Sequence, residues 1–401
     1  MYALYSILIR LYGFVILLVS PWHTKAKQLY KGRKHQAKDL QSQIQRWNKG
    51  HRIWIHAASY GEYEMAKPLV RELLDRGHNQ ILVTFHSPSG FLQTNLEHEN
   101  MIKAYLPLDK KSRQQHFINL VRPSKVVFIK YEFWFNLLRV LSAQNIDYYY
   151  TSLHLNRDSY LFKPTMKPFL KLIKKSQRIY CHNERSKAIL NENQFQNVFI
   201  LGDTRMSQVI LNKEHWEEKV YWQPNRKPVI GLGNITRKEL PLIIETANSL
   251  TAFSFIIAPH DPKEDSKQLI EGIKESVDLY SSTKDFSKRI LILDTMGDLR
   301  YIYGYCDAAY IGGAFEKGPH NLLEPLVFGI PIFCGPNISK FPMAGNLESM
   351  NLLKIAHHPS RFKETLVSSL DSVGPEFKSK AIKFFEEYED KLPSLVEELL
   401  D

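Results

Sequence analysis

The chain reads as an α/β protein of two doubly wound, parallel-sheet domains behind an apolar N-terminal helix. Three observations predict this. Short apolar runs alternate with longer amphipathic segments, twice over. Buried parallel strands read as such runs, and the spacers suit crossover helices. The 401 residues leave room for two or three domains. The first 20 residues are mostly apolar, and the stretch that follows is basic.

The N-terminal segment comes first. Residues 1–52 hold ten basic residues and one acid, Asp39, which is +9 of the net +11. The remaining chain is nearly neutral, so the charge pattern is not that of a nucleic-acid binder. A spanning helix needs about 20 apolar residues; residues 1–20 reach that length with Arg10 in the middle. No small-residue cleavage site follows, which argues against a removed signal peptide. Lys25 to Lys38 come directly after, and basic residues stay cytoplasmic and attract anionic lipid. The expectation is a membrane anchor over residues 1–24, spanning or monotopic, with the body in the cytoplasm. The alternative is the buried first helix of a soluble domain.

Residues 25–210 are expected to form the first domain. Its apolar runs are Ile53–Ala57, Ile81–Phe85, Val126–Ile129, Tyr148–Leu153, Ile179–Cys181 and Val198–Leu201. Six basic residues fall among Phe162, Met166, Phe169, Leu170 and Ile173 between Lys163 and Arg178. A solvated helix face is the bland reading, and contact with an anionic lipid or acceptor the sharper one. The joint lies in the polar stretch Asp203–Pro228. Residues 211–375 form the second domain, with runs at Val229–Leu232, Phe253–Ala258, Ile290–Leu293, Ala308–Ile311, Ile330–Phe333 and Leu352–Ala356. Residues 376–401 carry helical periodicity and many acids, and are a candidate to pack back on the first domain. Three widely spaced cysteines suggest neither a disulfide framework nor a zinc site, so a reducing compartment is expected.

The stretches that can carry chemistry sit at the ends of apolar runs. In open α/β sheets that is where ligands bind. In His56-Ala-Ala-Ser59-Tyr-Gly61-Glu62, the Ser-x-x-Glu spacing reads structurally as a capping box, in which Glu62 reaches back to the Ser59 amide. Functionally, Glu62 is a general base and Gly61 leaves room for a substrate. In Lys130-Tyr-Glu132-Phe-Trp-Phe-Asn136, a carboxylate directly after a buried strand is paired, capping or functional. Gly202-Asp-Thr-Arg205 is either a domain-closing turn or a third site segment. Pro259-His260-Asp261 ends another run. In Asp294-Thr-Met296-Gly297-Asp298, Asp or Thr capping competes with backbone amides set near a nucleotide.

Residues 311–336 combine a strand end, Gly312-Gly313, a loop with Gly318 and Pro319, a helix opening at Asn321-Leu322-Leu323-Glu324-Pro325, and another strand. Glycines let a backbone approach a phosphate, and free amides at a helix start face the anion. A residue before proline avoids the helical region, which places Glu324 at the helix mouth with its carboxylate free, within reach of a ribose diol. Alternatively the helix starts at Asn321 with Pro325 in its tolerated first turn. There is no Asp-x-Asp, Gly-x-Gly-x-x-Gly, Walker loop or His-Glu-x-x-His, and the 15 histidines lack metal spacing. A metal-free reaction on a nucleotide-activated substrate is expected.

His56–Glu62, Lys130–Asn136, Gly202–Arg205, Asp294–Leu299 and His320–Pro325, in that order, resemble the 3-deoxy-D-manno-octulosonic acid (Kdo) transferases of lipopolysaccharide assembly. Each motif is weak alone, and five in order are specific. The resemblance implies a GT-B glycosyltransferase, with two Rossmann-like domains facing a cleft and an N-terminal membrane anchor. It implies an inverting, metal-independent, cofactor-free transfer of Kdo from CMP-Kdo to the lipid A precursor (lipid IVA) at the inner membrane. The body would lie on the cytoplasmic face, against an anionic membrane surface and with no nucleic acid. Glu62 matches the family's general base. Glu132 and Arg205 match transition-state stabilisers, with Arg205 where most members carry lysine. Pro259, His260, Met296, Gly297, Asp298, Gly312, Gly313 and Asn321 to Glu324 match the CMP side. Ser59, Gly61 and Lys130 are acceptor-side candidates. The family's Pro-Arg-His is here Ala258-Pro259-His260, so an expected arginine is missing. A Ser/Thr-rich loop is here Gly233-Asn-Ile-Thr236. The competing readings are another GT-B enzyme, such as a UDP-sugar transferase or epimerase, and a non-catalytic nucleotide-binding protein of the membrane surface.

Overall fold

The computed structural model describes residues 2–48, 50–202, 204–214, 228–282, 287–339, 341, 343–372, 374–386 and 391–401. The chain divides into two compact units, Met1–Gln208 with Glu389–Asp401, and Val209–Tyr388.

The first unit opens with helices α1 (Tyr2–Val19) and α2 (Thr24–Ile44). Strands β1 (Ile53–His56), β2 (Ile81–Phe85), β3 (Ile102–Tyr105), β4 (Lys125–Ile129), β5 (Asp147–Leu153), β6 (Arg178–Cys181) and β7 (Val198–Ile200) follow. Between them run α3 (Tyr60–Asp75), α4 (Pro88–Gln93), α5 (Lys111–Val121), α6 (Phe135–Ala143), α7 (Lys167–Ile173) and α8 (Glu184–Glu192). Helix α9 (Thr204–Glu214) straddles the division between the units. The strands form one parallel sheet in the order β3-β2-β1-β4-β5-β6-β7.

Strand geometry sends alternate side chains to opposite faces. Trp54, Leu82, Val126 and Phe128 join one buried cluster with Leu40 and Ile44 of α2. Ile53, Ile55, Val83 and Val127 join the other, which the C-terminal helix completes with Leu392, Leu395, Val396 and Leu399.

The second unit repeats the plan. Its strands are β8 (Val229–Ile235), β9 (Ser254–Pro259), β10 (Asp278–Leu279), β11 (Ile290–Ile292), β12 (Ala308–Ile311), β13 (Ile332–Cys334) and β14 (Leu353–Ile355). They pair in parallel as β10-β11-β9-β8-β12-β13-β14. The helices are α10 (Leu240–Ser249), α11 (Pro262–Gly272), α12 (Leu299–Ile302), α13 (Leu323–Leu326), α14 (Ala344–Ser349), α15 (Phe362–Leu370) and α16 (Pro375–Glu386). Helix α17 (Leu392–Leu400) returns to the first unit and packs on α3. In each sheet the strand order reverses beside the first strand, at β1/β4 and at β8/β12. Those reversals open the crevices that bind ligands in this architecture.

Every apolar run expected to be a strand is one. The sequence reading lacked β3, where Lys103 interrupts the run, and the two-residue β10. Lys103 suits a strand because its ammonium leaves the sheet to donate to the Phe91 and Thr94 carbonyls at 2.8 and 2.7 Å.

The N-terminal segment departs from the simplest expectation. No single helix among the described residues is long and apolar enough to cross a membrane; α1 and α2 meet that test only as a pair bent by 115°. Nor is α1 a buried core helix, because Leu4, Ile7, Leu8, Leu11, Phe14, Val15 and Leu18 are exposed. Its other side docks on the first unit. The Tyr5 hydroxyl donates to buried Asp109 at 2.7 Å, and its ring meets Phe135 and Phe169 edge-on. Helix α2 covers the edge of the sheet. Gln36 donates to the Tyr105 carbonyl at 2.8 Å and accepts from the Tyr105 amide at 2.7 Å, pairing the free edge of β3. A Cβ on Gly32 would overlap the Tyr105 ring, so only glycine lets α2 sit this close.

Candidate active site

At the first reversal, β1 and β4 end side by side and bring His56 and Glu132 together. His56 Nε2 lies 3.0 Å from Glu132 Oε2, and Trp134 Nε1 donates to the same oxygen at 2.7 Å. His56 is fully buried, and the Glu132 side chain is 15% exposed. On the far side of the ring, His56 Nδ1 lies 2.8 Å from Thr84 Oγ1, which accepts from Trp54 Nε1 at 2.7 Å. The Trp54 indole donates to Thr84, and His56 is held with Nδ1 beside both the Thr84 hydroxyl and, at 3.1 Å, the Thr84 carbonyl, and with Nε2 beside Glu132. Burial alone pushes the Glu132 carboxyl up. The hydrogen bond and charge of His56 and the Trp134 bond outweigh it, and the net direction is down. Glu132 is therefore an oriented carboxylate.

His86 extends this line. Its ring lies 5.0 Å from Trp134, its Nδ1 is 3.0 Å from Arg33, and its Nε2 is 3.1 Å from the Tyr12 hydroxyl. Burial, then the Arg33 and His56 charges, lower its pKa to about 4, so the ring is neutral near pH 7. Among these residues sequence reasoning singled out only Glu132. Thr84, His86 and Arg33 come from other elements, and only strand order brings them together.

Glu62 lies in the first turn of α3, just past the end of β1, and is half-buried. The capping box does not form. Ser59 is the N-cap, yet its hydroxyl makes no cap bond and donates instead to the Glu62 carboxylate. Glu62 is thus held by a neighbour at the open end of the strand. A Cβ on Gly61 would meet nothing closer than Ser59 Oγ at 4.0 Å, so glycine is not needed there for packing. Lys130 takes a left-handed backbone (φ 64°), and its amide bonds Thr151 at the end of β5. Arg205 lies in α9, but its side chain, like Asp203, falls outside the described residues.

The second unit assembles its own strand-end loops. Gly312 and Gly313 follow β12 beside the end of β8. Their amides are not free, which corrects the phosphate-cradle expectation. The Gly312 amide donates to Gly233 at 2.8 Å, and the Gly313 amide to the buried Glu239 carboxylate at 3.0 Å. A Cβ on Gly312 would lie 2.5 Å from the Asn234 carbonyl, and Gly313 has φ +90°, so both glycines serve close packing. Glu239 also accepts from the Tyr310 hydroxyl at 2.6 Å, and from the Thr236 amide and hydroxyl at 2.9 Å each. It organises this loop, and sequence reasoning missed it. The available signal was Thr236-x-x-Glu239, the capping-box spacing.

Glu324 also differs from expectation. Helix α13 begins at Leu323 and tolerates Pro325 in its first turn, so Glu324 is helical. Its carboxylate is not free, and its charge helps burial raise the Tyr303 hydroxyl far above its usual range. Asn321 accepts from the Leu323 amide at 3.1 Å, and Leu322 and Leu323 are buried. In the loop before α12, Met296 is 74% exposed, Gly297 has φ +95°, and Thr295 donates to Asp298 at 2.7 Å. Pro259 ends β9, and the exposed His260 lies beside His320, ring centres 4.8 Å apart.

Two doubly wound parallel sheets of this kind are the GT-B fold. Solved structures agree at the level of fold. A glycosyltransferase from Rickettsia africae ESF-5 superposes with a TM-score of 0.55 at 13% identity, over 88% of this chain and 100% of that one. A UDP-GlcNAc 2-epimerase from Neisseria meningitidis superposes with a TM-score of 0.57 at 16% identity, over 87% and 99%. Sequence narrows the class. The family described as 3-deoxy-D-manno-octulosonic-acid transferase (kdotransferase) matches residues 26–208. The 3-deoxy-D-manno-octulosonic acid transferase of Haemophilus influenzae is 27% identical over 72% of this chain and 72% of its own length. Those of Rickettsia bellii and Rickettsia felis are 24% and 26% identical, over 87% and 72% of this chain and 85% and 64% of theirs. The chain is thus similar to the Kdo transferases, through the family match over residues 26–208 and through relatives that align with most of its length.

Proposed function

We propose that this enzyme transfers Kdo from CMP-Kdo to the lipid A precursor, lipid IVA, with inversion and without a metal. The observation that carries the reading is the pair of carboxylates at the first sheet reversal, in a chain similar to the Kdo transferases. Glu62 is partly open at the start of α3, and Glu132 is held by His56 and Trp134.

The two carboxylates are set up differently, which suits two roles. Glu62 accepts one hydroxyl bond from Ser59 and is free to take a proton from the acceptor hydroxyl. As that O–H bond breaks, the oxygen attacks the anomeric carbon of Kdo and the bond to the CMP phosphate breaks. The phosphate leaves with the electron pair. Glu132, oriented and kept ionised, stabilises the positive charge that builds on the sugar ring. Arg205 is assigned to the departing phosphate by family position. The cytidylate is assigned to the loops with His260, Met296–Asp298 and Asn321–Glu324. With both glycine amides occupied, side chains and the remaining loop amides must hold the phosphate.

The docked α1, with its exposed apolar face and the basic α2 beside it, suits a helix lying in the membrane interface. The exposed lysines of α7 flank the same region, because Phe169 of α7 packs on Tyr5 of α1. This supports attachment to the cytoplasmic face of the inner membrane.

Glu62→Gln tests the chemistry. Glutamine can still accept from Ser59, so the variant should fold and bind CMP while transfer falls about 10²–10⁴-fold. Transfer is measured with CMP-Kdo and lipid IVA, and CMP binding by protection from thermal unfolding. Full transfer by the variant would remove Glu62 from the mechanism.

A further inference from the structure

A cavity of about 780 Å³ lies within the first unit, between α1, α2 and the start of α5. It is within the about 300–1,000 Å³ usual for ligand sites. Its wall has two chemistries. Phe14 and Leu17 of α1 and Leu108 before α5 make it apolar, and the first two are half-exposed for lack of any covering side chain. Arg10, Lys34, Lys110 and Arg113 stand around it, and no Asp or Glu lines it. None of these four makes an ion pair among the described residues. A groove that keeps several unneutralised cations beside exposed apolar side chains is complementary to an anion carrying a hydrocarbon tail. A nucleic acid would leave the apolar wall bare, and a flat headgroup contact would leave the hollow unfilled.

The shape is built rather than incidental. A Cβ on Gly13 would meet Leu108 Cδ2 at 2.6 Å, so glycine lets α1 close against the unit there. Gly32 does the same for α2 at Tyr105. One wall residue of the cavity also reaches the candidate active site. Arg33, one of its walls, bonds the Leu106 carbonyl at 2.9 Å and His86 at 3.0 Å. His86 in turn packs on Trp134, which holds Glu132.

We propose that this cavity is the acyl-chain and phosphate subsite for the acceptor lipid. One hydrocarbon chain lies along Phe14, Leu17 and Leu108, and a lipid phosphate sits among Arg10, Lys34, Lys110 and Arg113. The assignment of the occupant rests on the proposed function; the apolar, cationic character of the site does not. Arg33 ties its wall to His86, so a lipid seated here presents its sugar end toward Glu132.

The test is direct binding, independent of turnover. Full-length protein in detergent micelles is titrated with lipid IVA and read by native mass spectrometry. Two separate variants are compared, Ala37→Trp, which fills the cavity from an exposed position of α2, and Lys34→Ala/Arg113→Ala, which removes two cations. Each should weaken lipid IVA binding by about tenfold or more. Fully deacylated lipid IVA should bind weakly and be insensitive to Ala37→Trp. Unchanged lipid IVA binding in both variants would overturn the proposal, and so would equal competition by phosphatidylglycerol, which would make the occupant a bulk bilayer lipid. If the variants lose lipid binding but the wild type transfers no Kdo, the proposed function fails and the lipid site stands. If transfer is normal and binding is unmoved, the reverse holds.

Discussion

Glu62 and Glu239 both follow a hydroxyl residue by three positions and end up in opposite situations. Ser59 donates to Glu62 and leaves its carboxylate partly open, whereas Glu239 is buried and takes bonds from Thr236, Tyr310 and Gly313. The spacing was legible in both places; its meaning was not, because burial depends on what β12 puts opposite. Glu239→Ala should strand the Gly313 amide and the Tyr310 hydroxyl in a dry site. It should cost about 2–5 kcal/mol in a urea titration. Glu239→Gln, which keeps one acceptor oxygen, should cost clearly less. His86 gives a pH prediction. Its pKa lies at about 4 in the fold against an ordinary 6.5. The folded value is the lower one, so the contribution is complete above pH about 6.5 and is lost as pH falls toward 4. The depressed Glu132 carboxyl acts in the same direction at lower pH. Acid should therefore destabilise the first unit by at most about 3 kcal/mol through His86, and His86→Gln should flatten that part of a stability–pH profile. An unchanged slope in the variant would mean that His86 binds its proton equally well in the folded and unfolded chain.

Helix α1 shows how an element can be read correctly as apolar and still be misplaced. Its composition announces lipid contact, but Tyr5 on Asp109 and Gly13 against Leu108 decide that one side lies on the protein. Asp109 also accepts from the Asn136 and Leu137 amides at 2.9 Å, so a residue distant in sequence caps α6 directly after the Glu132–Trp134 segment. Removing residues 1–24 should leave a folded protein, since Asp109 keeps those two amides. Stability should fall by about 1–3 kcal/mol, and co-sedimentation with anionic vesicles should drop sharply. Misfolded product in circular dichroism would instead make α1 an obligatory part of the core. Strand β3 and helix α13 carry a similar lesson. Lys103 reads as a break until its ammonium finds the Phe91 and Thr94 carbonyls. Pro325 reads as a helix start until Leu323 and Glu324 prove helical before it.

For the whole molecule, the sharpest discriminator is the nucleotide. CMP should protect the enzyme from thermal unfolding, by about 2.7 kcal/mol at a hundred times its dissociation constant, and UDP at the same concentration should not. Protection by UDP alone would favour a UDP-sugar enzyme, the activity of one solved structure that shares this fold. The amino-acid order was enough to set the two parallel sheets, because buried strands must be continuously apolar and each run declares itself locally. It also sufficed to point at Glu62 and Glu132, because a carboxylate at the end of such a run is conspicuous wherever it occurs. What needed the folded chain was partnership. Strand order puts His56 beside Glu132, and β8 beside β12 consumes the glycine amides that looked free for a phosphate. The docking of α1 and α2 hollows out the basic, apolar cavity behind His86. Local pattern reports which backbone state and which burial a residue favours. Hydrogen-bond partners many residues away are chosen only when the sheet closes.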